Sequence, residues 1–264
     1  MNMLSNSLVL ITGASSGIGC SCAYRFAEGG ARLLLLARRI ERLETLAREL
    51  RDRYSTDVYY EQLDVRNAVS VAEFFARLPE EWRTIDVLIN NAGLSRGLDK
   101  IYEGKITDWE EMIDTNIKGL LYVSRVVIPG MVERKKGTII NIGSIAGHEV
   151  YPNGNVYCAT KHAVDAITKG MRMDLVDTPL RVCTVDPGMV ETEFSQVRFH
   201  GDEERARKVY ENMTPLNPDD IADVVYFVAT RPPHVQIAEV IVFPTDQASS
   251  WLVHRKEPTN GNTQ

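Results

Sequence analysis

Short apolar runs alternate along this chain with longer stretches in which apolar residues recur every three or four positions. The run "SLVLITG" (7–13) reads as a strand, and "GIGCSCAYRFAEGG" (17–30) as a helix stopped by two glycines. "ARLLLLA" (31–37) is apolar throughout, as expected of a strand covered on both faces. In "RRIERLETLARELRDRY" (38–54), Ile40, Leu43, Leu46, Ala47 and Leu50 fall on one helix face. Further strands are predicted at "DVYYEQLDV" (57–65), "IDVLINNAG" (85–93), "GTIINIGS" (137–144), "LRVCTVDPG" (180–188) and "AEVIVFPT" (238–245). Helices are predicted at 70–79, 107–136, 156–177 and 218–233. The stretch 107–136 reads as one long helix, with Thr107 or Asp108 as N-cap and Pro129 kinking it or marking weaker last turns.

Strand–helix alternation repeated this often predicts an α/β protein. The expected architecture is a Rossmann-type, doubly wound, parallel seven-stranded sheet in the order 3-2-1-4-5-6-7, with helices on both faces. No Pro-, Gly- or Ser-rich linker and no repeat interrupts it, so residues 1–250 read as a single domain. The one long excursion runs from Pro187 to Asn217; it is polar and partly helical, and 189–217 is expected to form a substrate lid. Residues 251–264 read as a flexible tail.

Composition narrows the function. The chain has 264 residues, 44% of them hydrophobic and 25% charged, which is ordinary for a globular protein. Its net charge of −6 leaves no basic excess to attract nucleic acid. The start lacks a charged n-region and no apolar run is long enough to span a bilayer, so no membrane association and a cytoplasmic location are expected. Cys20, Cys22, Cys158 and Cys183 read as reduced packing thiols; the C-x-C pair lacks zinc spacing, and no metal is expected.

Two stretches carry candidate chemistry. "TGASSGIG" (12–19) follows a predicted strand and opens a helix. Gly13 permits a sharp turn. Gly17 and Gly19 let backbone amides of Ser15, Ser16 and Ile18 approach a pyrophosphate at a helix N-terminus. The second strand ends in Ala37, Arg38 and Arg39, with no acidic residue before Glu41. An arginine pair there suits a ribose 2′-phosphate and favours NADP(H) over NAD. The second stretch is "SIAGHEVYPNGNVYCATK" (144–161), where Tyr157 and Lys161 lie one helical turn apart. A tyrosine with pKa near 10 is about one part in 10³ phenolate at pH 7. A lysine beside it would favour the phenolate and make it a usable base. Tyr151 has no lysine four residues on, and is expected to line the substrate pocket or to pack.

"TGASSGIG", "LDV", "NNAG", Asn116, Ser144, "YCATK" and "PG" occur in order, and together they resemble the short-chain dehydrogenases/reductases over about residues 7 to 245. A finer likeness lies in "QLDVRN", "LPEEW", "DWEEMIDTNIKGLLY", "GNVYCATK", "VETEFSQVRFHGD" and "PHVQIAEVIVFPT". These look like the NADP-dependent 3-hydroxy acid dehydrogenases, which act on serine and allo-threonine. The resemblance implies that Tyr157 moves the proton, that Lys161 holds the nicotinamide ribose, and that Ser144 bonds the reacting oxygen. It implies too that Asn116 breaks its helix and holds a water relaying protons to Lys161. Asp64 and Val65 are expected against adenine, and Asn91, Ala92 and Gly93 on the adenosine side. Pro187, Gly188 and Val190 fall where amides could meet the nicotinamide carboxamide, and Thr192 where it could bond phosphates. A 3-hydroxy acid needs a cation for its carboxylate; Arg198 is favoured over Arg96 and Arg255. The resemblance implies a homotetramer formed by helices near 108–134 and 155–177 and the last strand. Rival readings are a ketone, aldehyde or 3-oxoacyl reductase, and an NADP-binding regulator without turnover.

Overall fold

A computed structural model describes residues 4–257. The strands are β1 (Leu8–Thr12), β2 (Arg32–Ala37), β3 (Val58–Gln62), β4 (Val87–Asn90), β5 (Thr138–Ile142), β6 (Arg181–Pro187) and β7 (Glu239–Val242). They form one parallel sheet in the order β3-β2-β1-β4-β5-β6-β7, as the alternation predicts. Between them run α1 (Gly17–Glu28), α2 (Ile40–Tyr54), α3 (Ala68–Arg77), α4 (Ile106–Ile113), α5 (Leu120–Arg134), α6 (Asn155–Asp174), α7 (Phe194–Arg198), α8 (Glu203–Lys208) and α9 (Pro218–Ala229).

Side chains alternate across a strand with period two, so each strand feeds two cores. Val9, Ile11, Leu33, Leu35, Ile89 and Ile140 face Phe26 of α1, Leu43 and Leu50 of α2, and Ile221 and Val225 of α9. Leu8, Leu10, Leu34, Leu36, Leu88 and Ile139 face Phe74 of α3 and Val123, Val127 and Met131 of α5. Each fully buried leucine contributes roughly 1.5–3 kcal/mol, which holds the carboxyl edge of β1, β4, β5 and β6 in a fixed row. α9 is started by a reciprocal cap: Asn217 accepts from the Asp220 amide at 3.1 Å, and Asp220 accepts from the Asn217 amide at 2.8 Å.

Three expectations differ from the structure. The long helix 107–136 is three pieces: α4, a π-helical turn at Asp114–Gly119, and α5. It starts at Ile106 with Lys105 as an N-cap that makes no side-chain bond, so neither Thr107 nor Asp108 caps it. Asp108 is buried and lies 3.0 Å from His200 Nε2 instead. The break itself matches what the resemblance implied for Asn116, which sits in the π turn. Residues 251–257, expected as part of a flexible tail, have specific partners. Val253 pairs with Gln247, the His254 amide donates to Asp246 at 2.7 Å, and the Lys256 amide donates to Asn212 at 2.7 Å. The rest of that stretch, 258–264, lies outside the described residues.

Candidate active site

The carboxyl ends of β1, β4, β5 and β6 open into a cleft of about 430 Å³. At its floor the chain turns at Gly13, whose φ of +67° is left-handed and where a Cβ would lie 2.9 Å from Ala92 Cα. Ser16 stands at the N-cap of α1, but its side chain makes no capping bond to the helix, leaving the first amides of that helix free to meet an anion. Gly13, Ser15, Ser16, Gly17 and Ile18 line the cleft. Gly19 does not: a side chain there would strike the Gly13 carbonyl at 2.6 Å, so it serves close packing of helix on turn.

Arg39 is the arginine aimed at this end. Its Nε and Nη2 donate to Ser15 Oγ at 3.2 Å, Nη2 donates to Ser16 Oγ at 2.6 Å, and Nη1 donates to Glu193 at 2.8 Å. Arg42 donates to the other oxygen of Glu193 at 2.6 Å, and the two guanidinium groups hold its carboxyl below the ordinary value against the effect of burial. Glu193 and Arg42 are site-edge residues that sequence reasoning missed, because only the fold joins α2 to the start of α7. Arg38 also lines the cleft but is half exposed, with Glu111 at 3.4 Å. Asp64 lines it while bonded to Arg66 at 2.6 Å. Val65, Asn91, Ala92 and Gly93 complete this wall.

On the opposite wall stand Pro187, Gly188, Val190 and Thr192. The amides of Gly188, Met189 and Glu191 are taken by Val242, Gln247 and Leu216. That of Val190 has no protein partner among the described residues, which suits the amide-to-carboxamide role expected of this stretch. The donors on both walls therefore fit a dinucleotide with an extra ribose phosphate: helix amides, an arginine fork and the main-chain N–H of Val190.

Ser144, Tyr157 and Lys161 meet at the centre of the cleft. Ser144 lies two residues past the end of β5 and is 9% exposed; its Oγ accepts from the Ala146 amide at 3.1 Å. Lys161 is buried and its Nζ donates to the Ile142 carbonyl at 2.9 Å. Burial pulls the Lys161 pKa down to about 8, with Asp186 acting in the opposite direction. Burial likewise pushes the Tyr157 phenol above its ordinary value, helped by Tyr151 and opposed by Arg198 and Ser144. In this structure the Lys161 ammonium is turned to the Ile142 carbonyl, and burial is the largest influence on the Tyr157 phenol. Asn116 does not line the cleft. It is 2% exposed, accepts from the Leu94 amide at 2.8 Å and donates to the Leu94 carbonyl at 2.8 Å and to Thr160 Oγ1 at 3.0 Å. Those bonds fix the π turn against the loop after β4.

Arg198, Tyr151 and Phe194 form the remaining wall. Arg198 Nη2 donates to the Tyr151 hydroxyl at 3.1 Å, its guanidinium carbon lies 5.3 Å from the Tyr157 ring centroid, and its Nε is buried without a partner. Arg96 is committed to Glu111 at 2.6 Å and to the Val197 carbonyl at 2.5 Å. Arg255 donates to the Glu211 and Val209 carbonyls and does not line the cleft.

Comparison with known proteins agrees with this geometry. The profile of the short chain dehydrogenases matches residues 7–203. The NADP-dependent 3-hydroxy acid dehydrogenase YdfG of Salmonella typhi is 50% identical over 94% of this chain and 99% of its own length. The NADP-dependent 3-hydroxy acid dehydrogenase of Schizosaccharomyces pombe is 46% identical over 97% of this chain and all of its own. A solved closed form of serine dehydrogenase complexed with NADP+ superposes with a TM-score of 0.88 at 46% identity, covering 94% of this chain and 100% of that one. With a glycine turn under one wall and Ser144, Tyr157 and Lys161 gathered at the centre, this chain belongs to the short-chain dehydrogenase family.

Proposed function

We propose that this protein is an NADP-dependent oxidoreductase acting on a small 3-hydroxy acid, such as serine or allo-threonine. The observation that carries the substrate class is Arg198. It lies in the cleft beside Tyr157 with no carboxylate partner among the described residues, whereas Arg39, Arg42, Arg66 and Arg96 all have one. A charged group left so in a half-buried wall is set for an anion that arrives with the substrate. The names of the relatives support the same cofactor and substrate class.

NADP, held by Arg39 and the first amides of α1, supplies the hydride acceptor or donor. The protein does the rest. Arg198 takes the carboxylate of the substrate in its fork. Ser144 Oγ bonds the oxygen that changes oxidation state and polarises it. Tyr157 hands a proton to that oxygen in reduction and receives it in oxidation. Burial keeps the phenol protonated, which suits donation; the Arg198 charge and the Ser144 hydrogen bond act the other way and favour the phenolate that oxidation needs. Lys161 holds the nicotinamide ribose, and the segment 189–217 closes over the substrate.

Assembly as a homotetramer is supported by apolar residues left exposed on α4, α5 and β7, among them Ile113, Leu121, Val132 and Ile241. Sedimentation velocity tests it. A cytoplasmic location is supported by four cysteines that are all unpaired. The reaction is tested with serine, allo-threonine, 3-hydroxybutyrate, 3-hydroxypropionate and neutral alcohols, each with NADP. Arg198→Met should raise KM for the acids about tenfold or more, in line with one lost charge-assisted bond pair, and leave neutral alcohols unchanged. Unchanged selectivity between acids and alcohols would refute the carboxylate role.

A further inference from the structure

Behind the cleft lies a cluster of titratable groups that this reaction scheme leaves unused. Asp186, near the end of β6, is 1% exposed. Its Oδ1 accepts the main-chain N–H of Ser144 at 3.1 Å. Gly143, the residue before, has no room for a side chain because a Cβ would collide with that same oxygen. The carboxylate therefore lies against the main chain of 142–144, the stretch whose Ile142 carbonyl receives Lys161 Nζ. Its Oδ2 makes no hydrogen bond and faces His148 Nε2, also without one, at 3.4 Å. His148 Nδ1 faces Glu239 of β7 at 3.7 Å. Behind Glu239, Lys169 of α6 lies 4.0 Å away and is paired with Asp165 at 2.7 Å. Cys183, on the same strand as Asp186, is the remaining titratable neighbour. Each imidazole nitrogen faces a different carboxylate, an arrangement unlike that of a chelate.

We propose that Asp186 is a positioning residue of this active site: its carboxylate fixes the main chain that presents Ser144 and supplies the negative charge that keeps buried Lys161 an ammonium. The inference rests on the roles given to Ser144 and Lys161 above. Burial deprives the Lys161 ammonium of much of its solvation, and a fixed carboxylate beside the strand end offsets part of that loss. Asp186 is the group that opposes the effect of burial on Lys161. Burial raises the Asp186 carboxyl, and Thr184 and His148 act against that rise.

Asp186→Asn separates the charge from the hydrogen bond. The amide oxygen still accepts from Ser144, and the amide nitrogen can donate toward His148, so the melting temperature should equal or exceed that of the unaltered enzyme. Activity should change with pH. A tenfold weaker hold of Lys161 on its proton lowers kcat/KM for carbonyl reduction about tenfold at pH 8.5 and little at pH 6. The alkaline limb of the profile moves to lower pH, while the preference for NADPH over NADH is kept. Lys161→Met, measured alongside, should be inactive at every pH. An unmoved limb in Asp186→Asn beside an inactive Lys161→Met overturns the role of Asp186 alone. An active Lys161→Met overturns the scheme beneath it. Loss of activity in step with a fall in melting temperature and with no movement of the limb makes Asp186 merely structural and also overturns the proposal. If Asp186→Asn does not fold, His148→Lys places a permanent cation against the free oxygen. The limb must then move to lower pH, and an unmoved limb overturns the proposal.

Discussion

Replacing Arg39 by methionine tests how the cleft tells one nicotinamide dinucleotide from the other. Arg39 reaches the free helix end through three hydrogen bonds from Nε and Nη2, at 3.2, 3.2 and 2.6 Å to the Ser15 and Ser16 hydroxyls, and a fourth bond ties Nη1 to Glu193. A phosphate placed among those donors would receive two charge-assisted bonds, each worth about 1.5–3 kcal/mol. The side chain is 41% exposed, so screening by water places the sum near the lower end. The expected loss is about 2–3 kcal/mol, or roughly 30- to 150-fold in Kd at 1.4 kcal/mol per tenfold. NADPH and NADH are titrated against the quenching of tryptophan fluorescence at one fixed salt concentration. NADPH should weaken by that amount and NADH by less than about threefold, since the adenosine wall and helix amides it uses are untouched. Arg38→Met, whose side chain is 49% exposed with its nearest acid at 3.4 Å, should cost NADPH no more than about tenfold. Equal weakening of both cofactors by Arg39→Met would show that Arg39 supports the turn and reads no phosphate.

Two further outcomes follow from burial at the centre of the cleft. Tyr157→Phe fills the same space, so NADPH binding should hold within about threefold while kcat falls about 10²- to 10⁴-fold, the usual worth of a positioned proton donor; near-normal turnover would move the proton role elsewhere. Lys161→Met should be inactive yet more stable than the unaltered enzyme at pH 7. The Lys161 pKa falls from 10.5 unfolded to about 8 folded, so below pH 8 both states carry the proton and the folded state bears the full cost of the buried charge. At 1.36 kcal/mol per tenfold change in proton affinity, that lowering sets an upper bound of about 3 kcal/mol. Between pH 8 and 10.5 the unfolded chain binds more protons, the unaltered enzyme gains stability, and the gap between the two proteins narrows. Urea denaturation at pH 7 and pH 9 reads both values, and a gap that widens with pH would contradict the sign.

The parts of the fold set by local pattern could be read from the chain, and those set by distant contacts could not. All seven strands, their order and the turn before α1 follow from apolar runs and glycine placement. Periodicity does not reveal the π turn, because "DWEEMIDTNIKGLLY" stays helical in pattern across it, and only the resemblance implied a break at Asn116; the disruption comes from Asn116 bonding Leu94, 22 residues away. The same distinction runs through the site. Ser144, Tyr157 and Lys161 stand in a recognisable spacing, and they do meet in the cleft. Asp186, His148, Glu193 and Arg42 matter through partners on other elements, and no spacing announces them. One signal was available: a lone carboxylate ending the apolar run "VCTVD" of a buried strand has to find a buried partner.

The chain's final described residues reach back to the segment proposed as the lid. The Lys256 amide holds Asn212, Arg255 holds the carbonyls of Glu211 and Val209, and the Ser250 amide donates to Glu149 at 2.7 Å. Val209 and Ser250 themselves line the cleft. The far end of the proposed lid is thus moored by Arg255 and Lys256, not by the sheet that carries the cofactor. A truncation near residue 250 removes the contacts of Arg255 and Lys256, so it would leave the dinucleotide wall intact and loosen the substrate wall. Proteins with and without residues 251–257 would bind NADP alike and rank substrates differently.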